Sequence, residues 1–254
     1  MEINLLQCVK VISLCLLIFF ASCQTSKQTK VATQRQDLTE VTTNINPISH
    51  VAPKPKMCEQ MEKMGLISIQ SIIPNIRIDL PYGTSENFTG VQLYETTQYA
   101  YFQKDVANKL AEAYKILSEK YPQYYFLILD AARPMSVQLQ MWNAVKGTQG
   151  RYFVANPNKT GLHNYGAAVD ITLTDKHGNL IDMGCPFDTF SALAHTDKEE
   201  ELLQNGLLTE EQYRTRKILR EVMIQAGFKP IKREWWHFNA CSLEEAKIKY
   251  ELIQ

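Results

Sequence analysis

Two histidines and two carboxylates, arranged as His163-x6-Asp170 and Glu234-x2-His237, constrain this chain more than any other feature. His163 lies in Gly161-Leu-His-Asn-Tyr-Gly166, and Asp170 in the mostly apolar run Ala167-Ala-Val-Asp-Ile-Thr-Leu173. That run reads as a buried strand entered from a loop, with His163 at its entry and Asp170 inside it. The small residues at 166 to 168 allow close backbone approach beside an ion. Glu234 and His237 follow Gly227 and Pro230 in an aromatic-rich segment that reads as a strand or strand-like turn. A bend is needed there to turn both side chains toward one ion. Two imidazoles and one carboxylate leave a fourth coordination position to water, the arrangement of a catalytic zinc site. A structural zinc site is closed by four ligands, usually including Cys, and the chain has no CxxC. His163, Asp170 and His237 are therefore candidate metal ligands, and Glu234 is left free to act as a base.

The rest of the composition narrows the class. The chain has 254 residues, 45% hydrophobic and 21% charged, with a formal charge of +0. No basic helix or arginine-rich stripe marks a nucleic-acid partner. One catalytic domain of roughly 200 residues is expected.

Residues 1–23 stand apart. Val11 to Ala21 is a mostly apolar run, too short for an ordinary membrane span and suited to an export signal. The ending Phe20-Ala-Ser-Cys23 resembles a bacterial lipoprotein signal, which implies acylation of Cys23 and a membrane anchor. Gln24 in place of Asp favours the outer membrane, within an exported, cell-envelope or periplasmic location. Residues 24–56 are polar and end in the stiff Ala52-Pro-Lys-Pro-Lys56; they read as a tether. The domain is expected over 57–254. Of the 6 cysteines, Cys8, Cys15 and Cys23 fall in the signal. Cys58, Cys185 and Cys241 remain, with pairing open.

Within the domain, the alternation of Leu66 to Leu80 predicts an edge strand broken at Pro74. Gln103 to Lys120 predicts an amphipathic helix with Val106, Leu110, Ala113, Tyr114 and Leu117 as its apolar stripe. A strand is expected at Tyr124 to Leu129, a turn at Asp130-Ala-Ala-Arg-Pro134, and a helix from Ser136 to Val145. A further helix runs from Thr209, its N-cap, to Ala226, and Gly227 ends it. Asp175-Lys-His177-Gly-Asn179 reads as a hairpin turn. Asp182 and the acidic run Asp197 to Glu201 read as solvated loop and helix start. His195 is a candidate for lining the site, and Trp235 and Trp236 read as core or pocket wall. The element order indicates an α+β domain, with a central antiparallel sheet flanked by helices.

Asp130-x-x-Arg133-Pro134, His163-x6-Asp170 and Glu234-x-x-His237, with Asn87-Phe-Thr-Gly90 and Met183-Gly-Cys-Pro-Phe-Asp188, resemble the zinc D-alanyl-D-alanine dipeptidases of the vancomycin-resistance type. These belong to a superfamily with the D,D-carboxypeptidases and the Hedgehog signalling domain. The resemblance covers about residues 60 to 245. It implies one Zn2+ held by His163, Asp170 and His237, with Glu234 as catalytic base. It implies Arg133 as stabiliser of the tetrahedral intermediate and Asp188 as acceptor of the substrate's free amino group. It implies substrate contacts near Gly161 and Tyr165. Gly161 replaces the family's serine, and Ala132 replaces the aromatic residue before Arg-Pro. The implied reaction is hydrolysis of D-Ala-D-Ala or a related small D,D-dipeptide in the cell envelope. Two other readings stay open: a zinc D,D-carboxypeptidase trimming peptidoglycan stem peptides, and a non-catalytic wall-binding lipoprotein.

Overall fold

The computed structural model describes residues 54–254. The export signal, Cys23 and the tether as far as residue 53 lie outside the described residues. In chain order the elements are α1 (Lys56–Lys63), β1 (Ile67–Ser68), β2 (Arg77–Ile78), β3 (Tyr101–Phe102), α2 (Lys104–Lys120) and β4 (Tyr125–Asp130). Then follow α3 (Met135–Val145), β5 (Ala168–Thr174), α4 (Glu199–Gln204), α5 (Glu210–Gln225), β6 (Lys229–Pro230), β7 (His237–Asn239) and α6 (Leu243–Lys249). The fold is α+β. The main sheet has the order β2-β4-β5-β7-β6, and β1 pairs with β3 in a separate two-stranded sheet.

The main sheet is mixed, which corrects the all-antiparallel expectation. β2 pairs parallel to β4, while β4–β5, β5–β7 and β6–β7 are antiparallel. A parallel pair needs a crossover connection, and α2 supplies it between β2 and β4. The alternating stretch from Leu66 to Leu80 does not form one broken strand. Ile67–Ser68 joins the small sheet, a 3-10 turn follows at Ile69–Ser71, and only Arg77–Ile78 reaches the edge of the main one.

β5 lies at the middle of the sheet, and all of its residues are buried. A strand covered on both faces carries apolar residues nearly throughout, which explains the run from Ala167 to Leu173. α2 buries Val106, Ala107, Leu110, Ala113, Ile116 and Leu117 against β4 and α5. Burying a side chain such as Leu110 contributes about 2 kcal/mol relative to exposure. α5 starts at the Thr209 N-cap, whose hydroxyl accepts from Gln212 N while the Gln212 side chain accepts from Thr209 N. Gly227, at φ +87°, ends it. α4 begins within the acidic run read as a helix start, whereas the short helices α1 and α6 have no counterpart in the sequence reading.

The entry to β5 depends on one glycine. A 3-10 turn over Leu162–Tyr165 ends at Gly166, whose φ of +64° is left-handed. A Cβ there would lie 2.8 Å from Leu66 Cδ2 and 3.3 Å from the Gln103 nitrogen. Gly166→Ala is expected to lose about 1–2 kcal/mol of stability from the backbone alone. It should also weaken metal binding by displacing His163. A melting temperature unchanged from the native protein would contradict this.

The acidic run from Asp197 to Glu201 is not wholly solvated. Glu199 is 2% exposed and binds Arg220 at 2.7 Å, with Arg216 Nη1 at 3.8 Å. Arg216, also buried, donates from Nε to the Met183 carbonyl (2.6 Å) and from Nη2 to the Leu193 carbonyl (2.9 Å). One guanidinium from α5 thus pins both ends of the connection 183–193. Cys58, Cys185 and Cys241 are all free thiols; Cys185 Sγ accepts a long contact from Arg216 Nη2.

Candidate metal centre and cleft

The sheet register assembles the site. Asp130 on β4 stands opposite Asp170 on β5, and Asp170 stands opposite His237 on β7. A bulge between Ile128 and Asp130 interrupts the β4–β5 ladder just before Asp130, where bulges re-aim side chains. His163 arrives from the 3-10 turn that precedes β5. Its carbonyl accepts from Arg133 N at 2.9 Å, and the Asn164 side chain donates to the Arg133 carbonyl at 3.0 Å. The loops that bear His163 and Arg133 are thereby joined.

His163, Asp170 and His237 offer three donor atoms within 4.8 Å of one another. His163 Nε2 lies 3.3 Å from Asp170 Oδ1 and 3.1 Å from His237 Nδ1, which is 2.9 Å from the same oxygen. Both rings are oriented from behind. His163 donates from Nδ1 to the Ala131 carbonyl (2.7 Å), and His237 donates from Nε2 to Asn239 Oδ1 (2.7 Å). These bonds leave the lone pairs of His163 Nε2 and His237 Nδ1 facing each other beside a carboxylate oxygen. Two lone pairs and an anion converging on one point repel unless a cation stands between them. The donor set fits a divalent metal with nitrogen and oxygen ligands. Charge couples the three groups even without an ion. Burial opposes the ionised Asp170, but His163 and His237 hold it well below the usual carboxylate range. Burial likewise opposes a charged His163, and Asp170 raises it nonetheless.

The cluster opens into a cleft of about 350 Å³, lined also by Glu234, Arg133, Asp188, Gln138 and aromatic rings. Glu234 sits in the bend just before β7, not on the strand itself, which gives the turn that the sequence required. Its Oε2 lies 3.8 Å from His237 Nδ1. Burial pushes its carboxyl up to about 8, with Asp170 and Asp188 adding to the shift and His237 opposing it. Arg133 donates from Nε to Asp130 Oδ2 (3.0 Å) and from Nη1 to Gln138 Oε1 (2.9 Å), and its Nη2 is paired with the same Asp130 oxygen. Burial works against its charge, but Asp130 keeps it firmly protonated. Of five N–H donors, two remain for the cleft.

Asp188 adopts φ +61°, rare for a residue with a side chain. The Tyr82 hydroxyl donates to both of its oxygens, at 2.8 and 3.1 Å. Burial pushes its carboxyl up to about 8; the Tyr82 bond opposes the shift and Asp170 adds to it. Gly161 lines the cleft, and a Cβ there would meet the Ala155 methyl at 3.1 Å, so a larger residue needs that neighbour to yield.

Two expected residues are placed elsewhere. Tyr165 does not line the cleft. Its ring is buried in the core, with its hydroxyl 3.3 Å from Thr160 Oγ1. It occupies the last position of the 3-10 turn, where its neighbour His163 takes the face toward Asp170. His195 pairs with Asp197 at 3.6 Å and packs against Phe153, behind the lining. Trp236 walls the cleft, while Trp235 lies over Arg216. Sequence reasoning gave no site role to Asp130, Gln138, Asn239 or Tyr82. Asn239 carried a usable signal, being two residues beyond His237 and so on the same face of β7. Tyr82 carried none.

An α+β domain that sets a candidate His–Asp–His metal site beside a buried glutamate and arginine has the parts of a metal-dependent hydrolase. A family model described as D-ala-D-ala dipeptidase matches residues 62–250, and the chain belongs to that family and is a peptidase. It is 31% identical over 174 residues to the D-alanyl-D-alanine dipeptidase of Escherichia coli K12, covering 68% of this chain and 83% of that protein. It is 32% identical over 164 residues to the D-alanyl-D-alanine dipeptidase of Synechocystis, covering 53% and 66%. It is 27% identical over 195 residues to that of Enterococcus faecium, covering 69% and 91%.

Proposed function

We propose that this protein is a zinc-dependent dipeptidase that hydrolyses D-Ala-D-Ala or related D,D-dipeptides in the cell envelope. The observation that carries this reading is a three-ligand cluster with a non-ligating carboxylate, Glu234, 3.8 Å from one ligand in the same cleft. His163, Asp170 and His237 would hold the ion. When bound, zinc supplies Lewis acidity, polarising the scissile carbonyl and acidifying water.

The chain's own residues do the rest. Glu234, reluctant to stay ionised, takes a proton from the attacking water and returns it to the leaving amine. Arg133, held rigid by Asp130 and Gln138, presents its two free N–H groups to the oxygen on which charge builds. Asp188 receives the substrate ammonium, with Tyr82 fixing the carboxylate's orientation. A cation docking there stabilises the ionised form of a carboxyl that otherwise protonates near pH 8. Asp188 also separates this reading from a carboxypeptidase acting on stem peptides, whose corresponding amine is acylated and carries no charge. Export by residues 1–23 and acylation at Cys23 would place the domain at a membrane, the outer one favoured.

The test compares free D-Ala-D-Ala, its N-acetyl derivative and L-Ala-L-Ala, with the zinc-loaded protein and with Asp188→Asn. The native protein should cleave the free D,D form best. Asp188→Asn should lose about tenfold or more in kcat/KM on that substrate, mainly through KM. Equal or better cleavage of the acetylated peptide would assign the protein to the carboxypeptidases instead.

A further inference from the structure

Two arginines with no carboxylate partner among the described residues stand against one residue of the cleft lining. Asp170, Asp188 and Glu234 line the same cleft, where the one guanidinium, Arg133, is already paired with Asp130. Tyr152, half exposed, lines the cleft. The two arginines flank its ring. The Arg151 guanidinium lies 4.7 Å from the ring centroid and donates to the Tyr152 hydroxyl at 2.6 Å. The Arg233 guanidinium lies 5.7 Å from the same centroid and donates to the Tyr152 carbonyl at 3.0 Å. Neither arginine forms an ion pair with a carboxylate among the described residues. They come from separate segments of the chain. Arg151 belongs to the 3-10 turn Gln149–Tyr152, and Arg233 precedes Glu234 in the bend before β7.

We infer that Arg151, Tyr152 and Arg233 form a carboxylate-binding rim that takes the C-terminal end of the substrate. This rests on the dipeptidase reading above and adds the opposite end of the same ligand. A zwitterion meeting a cleft with carboxylates in its lining and unpaired arginines against Tyr152 is oriented by its two charges. The ammonium then travels toward Asp188, and the carboxylate stays among donors that no protein anion occupies. Tyr152 keeps both guanidinium planes in place through stacking and hydrogen bonds, so less side-chain freedom is lost on binding.

The experiment measures kcat/KM of the zinc-loaded protein for D-Ala-D-Ala and for its C-terminal amide, at low and high salt. Arg151→Gln and Arg233→Gln are made singly and together, with the double lysine variant as the charge-keeping rescue. The double glutamine variant should lower the preference for acid over amide by about tenfold, through KM for the acid. Salt should reduce the preference of the native protein and leave that of the variant nearly flat. The lysine variant should recover most of the preference. Acid and amide falling in parallel, or an unchanged preference, would overturn the rim while leaving the dipeptidase reading in place. A native protein that cleaves no D,D-dipeptide would overturn both.

Discussion

Replacing Glu234 by Gln is expected to lower kcat by about 100- to 10,000-fold while the protein keeps its metal. The amide fills nearly the same volume and cannot accept the proton of an attacking water. Glu234 is not one of the three donor atoms, and its Oε2 stands 3.8 Å from His237 Nδ1, so zinc content should match that of the native protein. The two measurements belong together. A fall in rate with loss of metal would make Glu234 a ligand, and a rate within tenfold of native would remove it from the reaction. Stability also bears on the role. The carboxyl is pushed up to about 8 by burial and by Asp170 and Asp188. A raised carboxyl favours the fold below the ordinary carboxylate range and loses that contribution as pH rises toward 8. Without metal, Glu234→Gln should therefore melt higher than the native protein at pH 8, and the gap should close near pH 4.

The second large effect is structural. Arg216→Met should cost about 3 kcal/mol, roughly two orders of magnitude in the folding constant. The substitution leaves the Met183 and Leu193 carbonyls without their donor and removes a cation from beside buried Glu199. Glu199 keeps Arg220 at 2.7 Å, which holds the loss below that of an isolated buried charge. Denaturant unfolding measures it. The folded variant should bind zinc about as tightly as the native protein, since His163, Asp170 and His237 ride on or beside β5 and β7. Its KM for the free dipeptide should rise, because the connection bearing Asp188 at φ +61° loses both anchors. A stability within 1 kcal/mol of native would show that the connection holds itself.

What could be read from the sequence follows from how local each feature is. His163 and Asp170 are joined by one loop and one strand, so a glycine, small residues and an apolar run were enough to place them. Helices α2 and α5 have clear stripes and, for α5, a capping box. β2 is two residues long and pairs with a strand beyond α2, so neither its length nor its direction leaves a local trace. Glu199 reads as surface because its neighbours are charged; its burial depends on arginines from α5 that only the tertiary fold brings over it. Asp130 sits three residues from Arg133, and the motif holding both was legible, but not that Asp130 anchors the guanidinium. Tyr165 lies in the core, away from the cleft lining, for the opposite reason: it stands beside a candidate ligand in the chain, and adjacency in sequence does not fix which way a 3-10 turn points its last side chain.

The clamp on residues 183–193 divides the site into parts with different tolerances for change. Two of the three candidate ligands, Asp170 and His237, are woven into paired strands, where a shift in one strand disturbs its neighbours. Asp188, the proposed ammonium acceptor, hangs on a connection gripped at its two ends from behind by a helix. Such a connection can be exchanged for another of equal span without unpicking the sheet. On the proposed reading, a lineage carrying this scaffold could retarget its amine-end preference through that one insert, while the residues beside β5 and β7 are inherited intact.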